Sequence, residues 1–271
     1  MRFALIDNKK VEAAPGLKAL CPGCNQPVIP KCGTKKVHHW AHCSNVMCDN
    51  WWEPETAWHR SWKNIFPFEY QEIFLTDERT GEKHIADVCN KHGMVIEFQH
   101  SHITPQERNS REIFYKNMIW VIDGTRLKRD YPRFVKGMND CFRSTGTQGF
   151  YFVHFLDECF PFSWINSKVP VIFDFQLDNL SNDPIDAMRE HLWCLLPQYS
   201  YRYSVIAILS RNDFIKIITD EPKFLLCQKT PGEIVYHFEN NLRKREHSSQ
   251  MQNIMNTAQR KEMWRSRFRR F

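Results

Sequence analysis

The sequence predicts an α/β fold with a small metal-binding element near its amino-terminal end, and three observations carry that expectation. Residues 84–103 form two β-type runs around a short turn, with helix-period segments at 54–65 and 104–117 on either side. An apolar run at 118–122 reads as a buried strand, so helix, strands, helix and strand follow one another. Between residues 21 and 48 large aliphatic side chains are scarce, while Cys21, Cys24, Cys32, His38, His39, His42, Cys43 and Cys48 crowd together. Such a segment cannot bury a core of its own, and a structural metal is the usual substitute.

Composition narrows the class. Over 271 residues, 42% hydrophobic and 14% aromatic side chains suffice for a globular core. The first 20 residues hold no apolar segment of signal-peptide length, and the longest candidate span, VIAIL at 205–209, stops after five residues. A cytoplasmic protein that does not enter a membrane is expected. Ten cysteines without an export signal point to reduced thiols available for metal, not to a disulfide framework. The net charge of +6 is a property of the tail, because residues 242–271 hold nine Lys or Arg against Glu246 and Glu262. A polyanion suits such a tail, although a solvated helix face looks the same.

In chain order, FALI at 3–6 suggests a strand, and Pro15-Gly16 marks a turn. Cys21-Pro-Gly-Cys24 has knuckle spacing and His39-Trp-Ala-His42 supplies a second pair, so Cys21, Cys24, His39 and His42 are the expected ligands of a tetrahedral Zn²⁺. Cys43 or Cys48 could replace one His, and ordinary thiols and surface histidines are the plain alternative. A redox CxxC would need a βαβ setting that is missing here.

In the helix at 54–65, Trp58, Trp62, Ile65 and Phe66 form an apolar stripe, while Glu55, His59 and Lys63 share a second face. That second face is either an ion-pair ladder or a wall of a site. A strand at 68–75 and a turn at Thr80-Gly81 lead into the hairpin. With Lys91-His92-Gly93 as its loop and Gly93 left-handed, Asn90 pairs with Met94, Val88 with Ile96, and Asp87 with Glu97. Alternation then puts Ala86, Val88, Ile96 and Phe98 on the core side, and Asp87, Glu97, Gln99 and Ser101 on the other. Directly opposed carboxylates repel unless a cation sits with them, and Ile85, Cys89 and Val95 partly cover their face, so a metal site is expected. A solvated sheet face is the bland alternative.

Thr104 at the N-cap, Pro105 at the first position and Glu107 three residues after the cap start the helix at 104–117, on which Arg111 and Tyr115 lie one turn apart. They either pack the helix or hold a phosphate and orient Glu97. Strands are expected at 150–156 and 169–175, a helix at 187–196, and a second hairpin joining 205–209 to 214–219. Trp264, Phe268 and Phe271 align on a helical tail that could dock on the body or on a second subunit. The expected segments are 1–52 (strand and zinc element), 53–175 (core), 176–241 (extension) and 242–271 (basic tail).

The Asp87 and Glu97-x-Gln99 pattern resembles the catalytic core of the PD-(D/E)xK nuclease superfamily, in the variant where Gln replaces the usual Lys. More narrowly, IADV, VIEFQHS, SREIFY with Arg111 and Tyr115, IWVID and PVIFDF, with the CPGC and HWAH elements, resemble the competence protein CoiA-like family over residues 20–175. The resemblance implies a restriction-endonuclease-like mixed-sheet core flanked by helices and Mg²⁺- or Mn²⁺-dependent cleavage of DNA phosphodiesters. Asp87 and Glu97, with the Phe98 carbonyl, would hold the cation; Gln99 would orient water or phosphate, and Glu55 would be an additional acid. His59, Lys63, Ser101, Arg111 and Tyr115 would contact substrate or position the acids. A DNA-binding accessory protein without catalysis, and an adaptor docking a recombination or defence partner, are the competing expectations.

Overall fold

The computed structural model describes residues 1–43, 48–51, 53–177, 184–197 and 204–224, then 226, 232–236, 239–241, 243–244, 248–252 and 255. Most of the basic tail, including Trp264, Phe268 and Phe271, lies outside the described residues.

Two sheets organise the chain. The first is antiparallel, built from β1 (Phe3–Ile6), β2 (Lys9–Glu12), β3 (Ala19–Leu20), β4 (Pro27–Lys31) and β5 (His39–His42) in the order β2-β1-β3-β4-β5. Only its first strand was expected. The segment does have a core, a small one in which Trp40, Ala4, Val28 and the zinc-type ligand Cys21 are buried together. Short, half-exposed strands of two to five residues leave little periodicity in the sequence, which is why they were not legible.

After α1 (Ala57–Ile65) the second sheet begins with β6 (Gln71–Thr76), β7 (Lys83–Cys89) and β8 (Val95–Gln99) as an antiparallel meander. Helix α2 (Pro105–Tyr115) crosses over to β9 (Met118–Asp123), which is parallel to β8. Beyond α3 (Asp130–Cys141), β10 (Phe142–Ser144) and β11 (Phe150–Val153) form the far edge. Short helices α4 (Leu156–Cys159) and α5 (Phe162–Ile165) precede β12 (Val171–Asp174), parallel to β9. Then come α6 (Pro184–Ala187), β13 (Leu192–Leu195), β14 (Ser204–Leu209) and α7 (Arg211–Asp220). The nine-stranded order is β10-β11-β14-β13-β12-β9-β8-β7-β6, a mixed sheet with α2 and α3 packed on one face and α1 and α7 on the other.

Two expectations are corrected here. Residues 192–195 are a strand and not the end of a helix, because LWCL is buried on both faces of the sheet interior and a short apolar run does not reveal its own period. Residues 211–220 are a helix and not a returning strand: Ser210 caps it by accepting from the Asp213 backbone N–H, and Phe214 and Ile218 bury one turn apart. Residues 176–241, expected as an extension, thus place β13 and β14 inside the main sheet.

The central hairpin follows its turn chemistry. Gly93 has φ +75°, and the Asn90 side-chain oxygen accepts the backbone N–H groups of His92 and Met94, each at 2.9 Å. The Asn90 amide also donates to the Ile218 carbonyl at 2.7 Å, pinning the hairpin to α7. Asp174 at the end of β12 accepts from the indoles of Trp58 (3.1 Å) and Trp62 (2.9 Å) and pairs with Arg211 at the start of α7. This buried carboxylate ties α1 and α7 to the sheet. Asp174→Ala should cost about 3–5 kcal/mol, because Trp62 and Arg211 lose a buried charged partner. Urea denaturation measures the loss.

Candidate active site and metal centre

Where β7 and β8 run past the Val88–Ile96 pair, side chains replace the ladder. The Asp87 backbone N–H donates to a Glu97 carboxylate oxygen at 3.2 Å, and the Phe98 N–H donates to the Asp87 carboxylate at 3.0 Å. The expected register therefore holds, and the two acids face one another. They form part of the wall of a cavity of about 70 Å³, together with Glu55, His59, Lys63, Glu72, Gln99 and Arg111. Glu55, just before the Thr56 cap, and His59 and Lys63 on α1 line this cavity together, with Lys63 and Glu55 also paired.

Cations in the wall are few and buried. Lys63 lies 2.7 Å from Glu55, 2.9 Å from Glu72 and 3.6 Å from Asp87, and although burial lowers its pKa, those carboxylates raise it further. Burial pushes Glu72 up, yet the Lys63 ammonium and the Arg2 backbone N–H bring it down to about 2. Glu55 is likewise held low, burial being more than offset by Lys63 and Arg60. Arg111 reaches Glu97 at 3.2 Å, Glu107 at 2.5 Å and the Trp51 carbonyl at 2.9 Å. Glu97 is still left short of positive charge: burial, then the Asp87 carboxylate, push its pKa up to about 8, with Arg111 opposing.

Other predicted residues fall less directly on the site. The Gln99 amide donates to Glu53 at 2.8 Å and to the Ser101 hydroxyl at 3.1 Å, while Ser101 itself is exposed and bonded to Glu53. His59 holds the Phe98 carbonyl and the Thr56 hydroxyl, so the structure spends its ring on α1–β8 docking, and burial lowers its pKa. Tyr115 is not brought to the cavity. It is buried in the apolar layer beneath α2, edge-on to Trp51 and Phe114. Glu72, Glu53 and Asp49 were missed. Glu72 enters because it adopts φ +46° within β6, a conformation no sequence pattern announces.

The donor set fits a hard cation. Asp87 and Glu97 offer oxygen alone, and ions of the Mg²⁺ class bind through one or two carboxylates while keeping several waters. Their mutual repulsion and the raised pKa of Glu97 are what a divalent ion at that point would relieve.

A second ligand set is of a different kind. Cys21, Cys24, His42 and Cys48 are the group, among the described residues, that brings three or more His, Cys, Asp or Glu donor atoms within 4.8 Å of one another. The Cys21 and Cys48 sulfurs are 3.5 Å apart, and His42 Nε2 is 3.2 Å from the Cys24 sulfur. Sulfur ligands of a tetrahedral Zn²⁺ with bonds of ~2.3 Å stand about 3.8 Å apart, so the group is already close to the required size. Burial and neighbouring sulfur push the Cys48 thiol far up, and a cation is what would reverse this. Gly23 in the knuckle lies against Phe74 of β6, where a Cβ would meet the ring at 2.1 Å.

His39 is therefore corrected as a zinc ligand, and Cys48 takes its place. His39 and His42 are three residues apart on the extended strand β5, and strand alternation sends them to opposite faces. His39 lines the acidic cavity, with Nδ1 against the Val37 carbonyl at 2.9 Å.

Comparison with known families gives one result for this region. Residues 7–50 match the family model for the N-terminal domain of competence protein CoiA. The match spans β2 to β5 and all four members of the Cys/His group. No curated protein and no solved structure matches the chain. Among the described residues, no helix is long and apolar enough to cross a membrane.

Cys48→Ser should lower the zinc content and destabilise the first sheet locally, whereas His39→Ala should leave zinc in place. Elemental analysis of the two purified variants decides between the ligand sets, and equal zinc loss from both would restore His39.

Proposed function

We propose that the chain is a metal-dependent nuclease that hydrolyses DNA phosphodiester bonds, in DNA processing of the competence, recombination or defence kind. The observation that carries the reading is the apposition of Asp87 and Glu97 on the wall of a cavity, with Glu97 pushed up to about 8 by burial and then by the Asp87 carboxylate it faces. When bound there, Mg²⁺ or Mn²⁺ supplies a coordinated water of lowered pKa and absorbs charge developing on the phosphate.

The chain's own residues do the rest. Arg111 holds Glu97 from behind, and Phe98 N–H fixes the Asp87 carboxylate. The Gln99 amide nitrogen is taken by Glu53 and Ser101, which leaves its carbonyl oxygen as the end that can accept a hydrogen bond from water and so orient it. Gln cannot supply the positive charge of the commoner Lys, but Lys63 brings an ammonium from α1 to within 3.6 Å of Asp87. The match to the N-terminal domain of competence protein CoiA supports a competence setting for residues 7–50, and the zinc group within them is a structural element beside the cavity.

Zinc-loaded protein with Mg²⁺ or Mn²⁺ should cut at least one of single-stranded, duplex and branched DNA. Asp87→Ala and Glu97→Gln should bring cutting to background while DNA binding persists, and Gln99→Ala should slow it by about 10- to 100-fold, as loss of a positioning partner does. Cutting that is absent in the wild type, or equal in the Asp87 and Glu97 variants, would leave a DNA-binding protein without this chemistry.

A further inference from the structure

A groove of about 330 Å³ opens beside the carboxylate cavity, and Gln99 belongs to the lining of both. Its remaining walls come from His100 and His102 after β8, from Arg126, Arg129 and Arg133 around the start of α3, and from Phe162 on α5. Two acids also line it, and both are buried and paired. Asp123 holds His100 Nδ1 at 2.6 Å and accepts the Thr125 N–H and hydroxyl, and Asp130 pairs with Arg133 at 2.9 Å. Arg126, Arg129 and His102 are exposed, and Phe162 is the most exposed large apolar side chain among the described residues, at 72%.

We infer that this groove is the track of a single DNA strand, with Arg126 and Arg129 on its phosphates and Phe162 stacked on a base, delivering the strand to the carboxylates. The inference rests on the nuclease reading for its direction, because Gln99 joins the groove to the cavity. Exposed cationic side chains that track a backbone, interleaved with an aromatic face open to stacking, are the recurring solution for single strands, since every base has a π-face. A volume of this size suits a nucleotide-sized group. A duplex keeps its base faces covered, so Phe162 has nothing to stack on. The His100–Asp123 pair sets the ring of His100 at the junction, where the strand passes from groove to cavity.

The test is fluorescence anisotropy of a labelled oligo-dT and of a labelled duplex with the zinc-loaded full chain, without Mg²⁺ or Mn²⁺, so that no cutting enters the measurement. Phe162→Ala should weaken oligo-dT binding by about 5- to 150-fold, the range of one base–aromatic stack, and leave duplex affinity unchanged. Arg126→Ala with Arg129→Ala should flatten the salt dependence of oligo-dT binding by about 1.4 in log K against log salt, the share of two single-strand phosphates. All three side chains are exposed, and circular dichroism checks that each variant is folded. Unchanged oligo-dT affinity in both variants, or equal loss for oligo-dT and duplex in Phe162→Ala, overturns the groove while metal-dependent cutting can still stand. The predicted losses in a protein that cuts nothing would overturn the nuclease reading and keep the groove.

Discussion

The ammonium of Lys63, buried and surrounded by Glu55, Glu72 and Asp87, is the constraint on which the site depends. A cation removed from water costs several kcal/mol unless paired and hydrogen-bonded, so α1, β6 and β7 are held at the one spacing that lets all three carboxylates reach it. Glu72 extends this hold to the first sheet. Its carboxylate accepts the backbone N–H groups of Arg2 (2.7 and 2.8 Å) and Phe3 (3.1 Å), while Lys10 donates to the Gln71 carbonyl at 2.7 Å. The positive φ of Glu72 is a local strain of order 1–3 kcal/mol, and the charge network it completes is what holds it. At Glu97, burial and then the Asp87 carboxylate outweigh the Arg111 guanidinium.

The zinc-type group and the carboxylate site are physically continuous. Next to Cys48, the Asp49 carboxylate holds His84 at 2.8 Å and accepts the N–H of Ile85, two residues before Asp87 on β7, at 2.9 Å. Trp51 then stacks on His84, with ring centroids 3.2 Å apart, and its carbonyl accepts from Arg111, the residue that pairs with Glu97. The fourth ligand of the metal-type group therefore anchors the segment that orients one wall of the cavity. Domain-like boundaries drawn by composition do not describe this arrangement, since both the first sheet and the strands after residue 190 are built into the site or the sheet that bears it.

Features fixed by short-range chemistry were legible. The hairpin could be read because Gly93 and Asn90 determine the turn, and a fixed turn with a period of two residues determines that Asp87 meets Glu97. The cap of α2 at Thr104 was legible for the same reason. Long-range pairings were not. Glu72 and Glu53 have no spacing that marks them, and their roles depend on a backbone outlier and on a loop crossing over β8. His39 was misplaced because a pair of histidines three apart converges on a helix or turn but diverges on a strand, and β5 was not visible as a strand. The Ser210 and Asp213 cap was present in the sequence, but two apolar runs around a polar triplet resemble a hairpin as much as a strand followed by a helix.

The proposed chemistry stands or falls on whether Asp87 and Glu97 together hold a divalent cation. Calorimetric titration of Mn²⁺ into the zinc-loaded chain at pH 7, in buffers of different ionisation enthalpy, tests it most directly, and Mn²⁺ is too weak a competitor to displace zinc from a thiolate site. Burial and the Asp87 carboxylate raise the pKa of Glu97, so a cation that binds there displaces the protons Glu97 holds. The account predicts Mn²⁺ binding coupled to proton release, with both lost in Glu97→Gln. No binding, or binding that survives Glu97→Gln with the same proton count, would contradict it.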